Sequence, residues 1–82
     1  NLDQIEKSLL STLEIMDKGV FVGVHDSSAT FLQFLDKQQI ALGQEITVLE
    51  KEDFDGSMML QISHKKITVS NKIANNLYIQ KQ

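Results

Sequence analysis

Ile40-Ala-Leu-Gly-Gln-Glu-Ile-Thr-Val-Leu49, followed by Phe54-Asp-Gly-Ser57 and Met58-Met-Leu-Gln-Ile62, strings together a Leu-Gly turn, a strand, an Asp-Gly turn and a second strand. Gly43 supplies the permissive backbone that a tight turn needs, and Glu45 to Glu50 reads as a strand with Ile46 and Val48 on one face. Asp55-Gly56 is a hairpin signal, because both residue types tolerate the positive φ angles of two-residue turns. Met58 to Ser63 and Lys66 to Ser70 read as a further hairpin about His64-Lys65, in which Leu60, Ile62, Ile67 and Val69 alternate toward a core. The outline is that of a small β-barrel, an architecture expected to bind or brace a partner.

Upstream, Gly19-Val-Phe-Val-Gly-Val24 is an apolar run rich in β-branched and aromatic residues, as a buried strand requires. Asp26, Ser27 and Ser28 offer capping oxygens ahead of a helix expected from about Ser28 to Gln38, whose apolar stripe is Phe31, Leu32, Phe34 and Leu35. Ser70 to Asn76 reads as a capped helical turn and Leu77-Tyr-Ile79 as a last strand. At the amino end, Leu2, Ile5 and Leu9 recur at helical spacing behind Asp3 and Glu6, which predicts a short helix over residues 2 to 10. The expected fold is therefore mostly β: an SH3-like barrel of about five strands with an inserted helix and a short N-terminal helix.

Composition narrows the function classes. A chain of 82 residues has room for one small core. The absence of cysteine removes disulfides and thiolate metal sites and favours the cytoplasm. No apolar run approaches the roughly 20 residues that span a bilayer, so no membrane association is expected. The formal net charge is −3 and all eight basic residues are lysines, so no guanidinium is present for bidentate phosphate or guanine contacts. His64-Lys65-Lys66 reads as a solvated hairpin tip. Glu50, Glu52, Asp53 and Asp55 cluster on one turn without the spacing of a calcium loop. His25, Asp26, Ser27, Ser28 and His64 are the residue types of a hydrolytic triad, but no nucleophile elbow or oxyanion motif accompanies them, and the chain is not expected to be an enzyme. Phe54 with Met58-Met59 could offer an adaptable contact surface, and Phe31, Phe34 and Leu35 are the candidate partner-docking residues. A proline-peptide groove is disfavoured by the lack of Trp and the single Tyr, Tyr78.

Five pieces in order carry a resemblance to the FeoA-like domain: Ser11-Thr-Leu-Glu-Ile-Met-Asp-Lys-Gly19, Phe31-Leu-Gln-Phe-Leu-Asp36, Leu42-Gly-Gln-Glu-Ile-Thr-Val-Leu49, Asp55-Gly-Ser57 and Val69-Ser-Asn-Lys-Ile-Ala-Asn-Asn-Leu-Tyr-Ile79. The family implies two kinds of host. One is the free-standing ferrous iron transport protein A. The other is the carboxyl-terminal domain of metal-dependent repressors similar to the diphtheria toxin repressor, which Val24 to Asp36 resembles more closely. The repressor resemblance makes residues 1–10 the tail of a preceding helical segment and 11–82 the barrel domain. An initial Asn1 in place of Met agrees with an excised segment of a longer polypeptide.

That resemblance implies a regulatory, non-catalytic role beside N-terminal DNA-binding and dimerisation domains of the same polypeptide. DNA would be contacted only through those domains, the full-length protein would be a homodimer, and its cofactor would be a divalent transition metal, iron or manganese. In some family members this domain gives a Glu and a Gln to an ancillary metal site; the matching positions here fall near Ser27 and Thr30. His25 and Asp26 stand beside them as candidate metal ligands, against the alternative of a surface histidine and a capping carboxylate.

Overall fold

The computed structural model describes residues 7–81 as six antiparallel strands in one sheet, in the order β1-β6-β2-β3-β4-β5. The strands are β1 (Ser8–Leu9), β2 (Lys18–Val24), β3 (Glu45–Lys51), β4 (Met58–Ile62), β5 (Lys65–Val69) and β6 (Leu77–Lys81). Helix α1 (Ala29–Lys37) is inserted between β2 and β3, and the short helix α2 (Asn71–Ala74) between β5 and β6. The expected mostly-β architecture, with a helix after the first long strand, is what forms.

Alternation drives the meander β3-β4-β5. Ile46 and Val48 of β3 and Met58, Leu60 and Ile62 of β4 are all at most 1% exposed, and their neighbours point outward. They join Leu10, Leu13, Phe21, Leu35, Ile40, Val69, Ala74, Leu77 and Ile79 in one core that contains no charged or polar residue among those described. Burial of this apolar set is the main stabilising term, at roughly 25 cal/mol per Å² removed from water.

Three features depart from the sequence expectation. Over the described part of the expected helix 2–10, Ser8–Leu9 pairs with β6 as a strand and Leu10–Thr12 forms a 3-10 turn; residues 1–6 lie outside the described residues. Pairing with Tyr78 and Ile79 and complete burial of Leu10 outweigh a helical spacing that is only a weak prior. This adds a sixth strand, and the sheet is open, because β1 and β5 are its two edges. The turns also shift. β3 and β4 are joined by the loop 52–57, in which Gly56 alone takes a positive φ, of 75°, and the last turn is Ser63-His64, with Ser63 at φ 56°. Ser57 N–H donates to Asp55 Oδ1 and Gly56 N–H to the Glu52 carbonyl, so the carboxylate builds a local turn that the Asp-Gly pair alone did not specify.

The Leu-Gly turn is locked to β2. Gly43, at φ 90°, donates its N–H to the Phe21 carbonyl, while Phe21 N–H donates to Gln44. This exchange returns the chain from α1 to β3 and seats β3 beside β2 at Gly19↔Ile46. On its other side β2 pairs with β6, with a bulge between Phe21 and Gly23. At Gly19 the β6 backbone comes so close that a Cβ would lie 2.5 Å from the Gln80 carbonyl oxygen, whereas a Cβ on Gly23 would meet nothing within 4 Å. Gly19→Ala should therefore lower stability by about 1–3 kcal/mol in urea unfolding, the usual cost of overpacking, and Gly23→Ala should change it far less.

Asp17 anchors the turn that leads into β2. Its Oδ2 accepts from Glu14 N–H at 2.9 Å and lies 3.2 Å from Lys81 Nζ. The amide hydrogen bond from Glu14, then the Lys81 contact, hold its carboxyl below the ordinary value of 3.8. A depressed folded-state pKa gives stability that is present above the ordinary value and is lost as pH falls through the folded one. The stability difference between the parent chain and Asp17→Asn should thus be steady near neutrality and shrink below about pH 4, as read by urea unfolding at a series of pH values.

Candidate functional site: a cleft between the two helices

Ser28 begins α1. Its Oγ accepts from Phe31 N–H at 3.3 Å, and Asp26 Oδ1 accepts from Ser28 N–H at 3.2 Å, so the two residues form consecutive turns that aim the helix. Ser70 caps α2 in the same way through Ile73 N–H at 3.3 Å. Between the two helices lies an open cleft of about 480 Å³ lined by His25, Asp26, Ser28, Thr30, Phe31, Phe34, Lys72, Ile73, Asn75 and Asn76. Phe31 and Phe34, one helical turn apart with ring centroids 6.5 Å apart, form with Ile73 an apolar floor that also packs on the core.

Asn76 holds the two walls together. Its Nδ2 donates to the Asp26 carbonyl at 3.1 Å, its Oδ1 accepts from Asp26 N–H, and its own carbonyl accepts from His25 N–H at 3.0 Å. The side-chain amide thereby continues the β2–β6 ladder past its last pair, Val24↔Leu77. His25 Nδ1 lies 3.0 Å from the Tyr78 hydroxyl, and the two rings meet edge to face at 6.0 Å. The exposed Lys7 places Nζ 4.5 Å from the Tyr78 ring centroid, so this tyrosine is engaged on its hydroxyl and its face at once.

The sequence-derived residues fall into distinct places. His25 and Asp26 sit side by side on the cleft rim, each already bonded within the chain. Ser27 is exposed, and Thr30 lines the cleft. Phe31 and Phe34 form the floor, but Leu35 is 4% exposed and faces the core. His64 lines a separate cavity with Gln39, Gln44 and Lys65, and so is not part of a constellation with Ser28 and His25. The α2 wall, from Lys72 to Asn76, carried no functional signal in the sequence beyond the tandem Asn75-Asn76 after a capped turn.

Among the described residues no three His, Cys, Asp or Glu side chains converge. A divalent transition ion usually takes three or more protein ligands, and the Ser27 and Thr30 hydroxyls are poor substitutes for carboxylate or imidazole. No helix among the described residues is long and apolar enough to cross a membrane.

This fold belongs to a known class. The FeoA domain family model matches residues 9–81, and the chain belongs to that family. Among solved structures it is similar to an iron uptake regulatory protein (FeoA), at 21% identity and TM-score 0.84, over 94% of this chain and 100% of that one. It is similar to a FeoA-like protein from Clostridium acetobutylicum at 16% identity and TM-score 0.82, over 95% and 90% of the two chains. A manganese-dependent transcriptional repressor matches at 16% identity and TM-score 0.90, over 96% of this chain but 44% of its own. The chain thus spans the whole of one FeoA relative, nine-tenths of the other and less than half of the repressor. No curated protein sequence matches significantly.

Asn76→Ala removes both side-chain bonds to Asp26. It should cost about 1–2 kcal/mol in urea unfolding, from roughly 1 kcal/mol for each net hydrogen bond, and broaden the amide resonances of residues 25 and 26 while leaving those of β3 and β4 unchanged.

Proposed function

We propose that this chain is a non-catalytic regulatory docking domain of bacterial-type metal homeostasis: the C-terminal domain of an iron- or manganese-dependent transcriptional repressor, with the α1–α2 cleft as the surface that meets the rest of the polypeptide. The observation that carries this reading is the cleft itself, with a floor of two stacked phenylalanines, a polar rim, and walls fixed by hydrogen bonds before any partner arrives. Preorganised walls spare the ordering cost of binding. The repressor match over 96% of the chain, at TM-score 0.90, supports the choice of host.

Regulation through such a surface is a linkage. If the cleft binds the metal-loaded form of its neighbour more or less tightly than the metal-free form, it shifts the balance by that difference. Metal is held by the dimerisation domain, DNA is met only by the winged-helix domain, and the whole acts as a cytoplasmic homodimer. His25 and Asp26 would then brace the cleft rim and add at most a supplementary contact to an ion whose other ligands come from elsewhere.

A second reading has its own observation. The match to the free-standing FeoA covers all of that protein, which suits an adaptor that docks the same cleft on the cytoplasmic part of a ferrous iron transporter.

The test is metal titration of operator binding by the intact polypeptide carrying Phe31→Ala or, on the exposed rim, Lys72→Glu. The expected result is a shift of the metal midpoint by severalfold with operator affinity at saturating metal preserved. A curve superimposable on the parent's in both variants would contradict the docking reading. In the same polypeptide, the double variant His25→Ala, Asp26→Ala is expected to bind metal with unchanged stoichiometry.

A further inference from the structure

Strand β5 is an edge of the sheet, and its pattern fits a second copy of itself. Only the two residues Ser63-His64 separate the pair Ile62↔Lys65, so Lys65, Ile67 and Val69 turn their N–H and C=O groups toward β4, and Lys66 and Thr68 turn theirs away. Among the described residues no backbone group bonds to Lys66 or Thr68. Both side chains are exposed, on the face opposite the core.

The charges of the molecule divide along this edge. At the Lys65 end stands the His64 turn, followed by Lys66. At the Val69 end stands the loop 52–57, which leads into Met58, the residue paired with Val69, and carries the exposed Glu52, Asp53 and Asp55. The loop is ordered by its own bonds and braced by Asn71 Nδ2, which donates to the Gly56 carbonyl. An edge lysine normally deters strand addition, because it meets apolar or like-charged neighbours. An antiparallel copy is different, since it brings the acidic end of one molecule against the basic end of the other.

We propose that β5 pairs antiparallel with β5 of a second copy about a two-fold axis at Ile67, forming a symmetric dimer with one continuous sheet. In this register Lys66 faces Thr68 of the second copy, and Thr68 faces its Lys66. Both outward residues exchange their N–H···O=C bonds in hydrogen-bonded pairs, and Ile67 meets Ile67 in the closer, non-bonded pair. Lys65 falls opposite Val69 and the His64 turn opposite Ser70, beside the acidic loop. A register centred on Lys66 would set the two lysines face to face, which opposes it. The interface is isologous and uses every outward backbone group of β5. It is separate from the α1–α2 cleft, so it stands or falls independently of the docking reading.

The experiment is sedimentation equilibrium of the 82-residue chain over a concentration series reaching millimolar, at low and at high salt. The parent chain is expected to show a monomer–dimer equilibrium that weakens as salt screens the end-to-end charge pairing. Thr68→Pro removes an outward donor that the monomer does not use, a position where an edge strand tolerates proline. Thr68→Lys sets like charges across the axis. Each should weaken dimerisation at least about tenfold, whereas Ile15→Ser, at an exposed apolar side chain in the turn ahead of β2, should leave it unchanged. If Thr68→Pro fails to fold, as judged by circular dichroism, Thr68→Lys alone decides. A chain that stays monomeric throughout, a dimer of unchanged affinity in the folded Thr68 variants, or a dimer lost in Ile15→Ser would overturn the proposal.

Discussion

The antiparallel pairing of β2 with β6 is the contact on which the rest depends. It joins residues some fifty to sixty positions apart, so it carries a large loop-closure cost, and burial of Phe21, Leu77 and Ile79 beneath it offsets that cost. Close approach of the two backbones at Gly19 leaves no room for a side chain. Once β6 is seated, β1 can add to its outer edge and Leu10 can reach the core. The same pairing places Asn76 beside Asp26 and Tyr78 beside His25, and with them α2 opposite α1. The cleft is therefore a consequence of sheet topology. Neither helix makes it alone.

The meander β3-β4-β5 contributes in another way. Its hairpins are local in sequence, and its alternation fixes the register from Ile46 to Val48, ahead of a bulge between Val48 and Glu50, because a one-residue slip would turn Val48, Leu60 and Ile62 into solvent. It meets β2 through Lys18, Gly19 and Val20 and through the hydrogen bonds exchanged between Phe21 and the Gly43-Gln44 turn. The molecule thus consists of a locally coded hairpin unit and a long-range closure, and the surface proposed for docking belongs to the closure.

This division explains what could be read from the sequence. β2, β3, β4, α1 with a cap from among Asp26, Ser27 and Ser28, and the Gly43 turn follow from periods and turn residues within ten positions, and all of them form where expected, with Ser28 as the cap. The two-residue strand β1 could not be read, because Leu9 and Leu10 satisfy a helical spacing as well, and only pairing with Tyr78 and Ile79 decides between them. The open edge at β5 was equally hidden, since closure of a sheet depends on where its ends fall. In the site, Phe31 and Phe34 stood out as more apolar surface than one helix face needs, but so did Leu35, which packing then claimed for the core. Asn76 acts through a residue fifty positions away, and no local pattern announces that.

Native-state hydrogen exchange tests the central claim most directly. If the β2–β6 pairing governs the fold, the amides shared by those two strands exchange only through global unfolding, with the same denaturant dependence as the β3–β4 amides, and the amides of residues 25 and 26 never outlast them. If β6 instead detaches in a low-energy partial opening while His25, Asp26 and the cleft walls stay protected, the cleft does not depend on that pairing and the account is wrong.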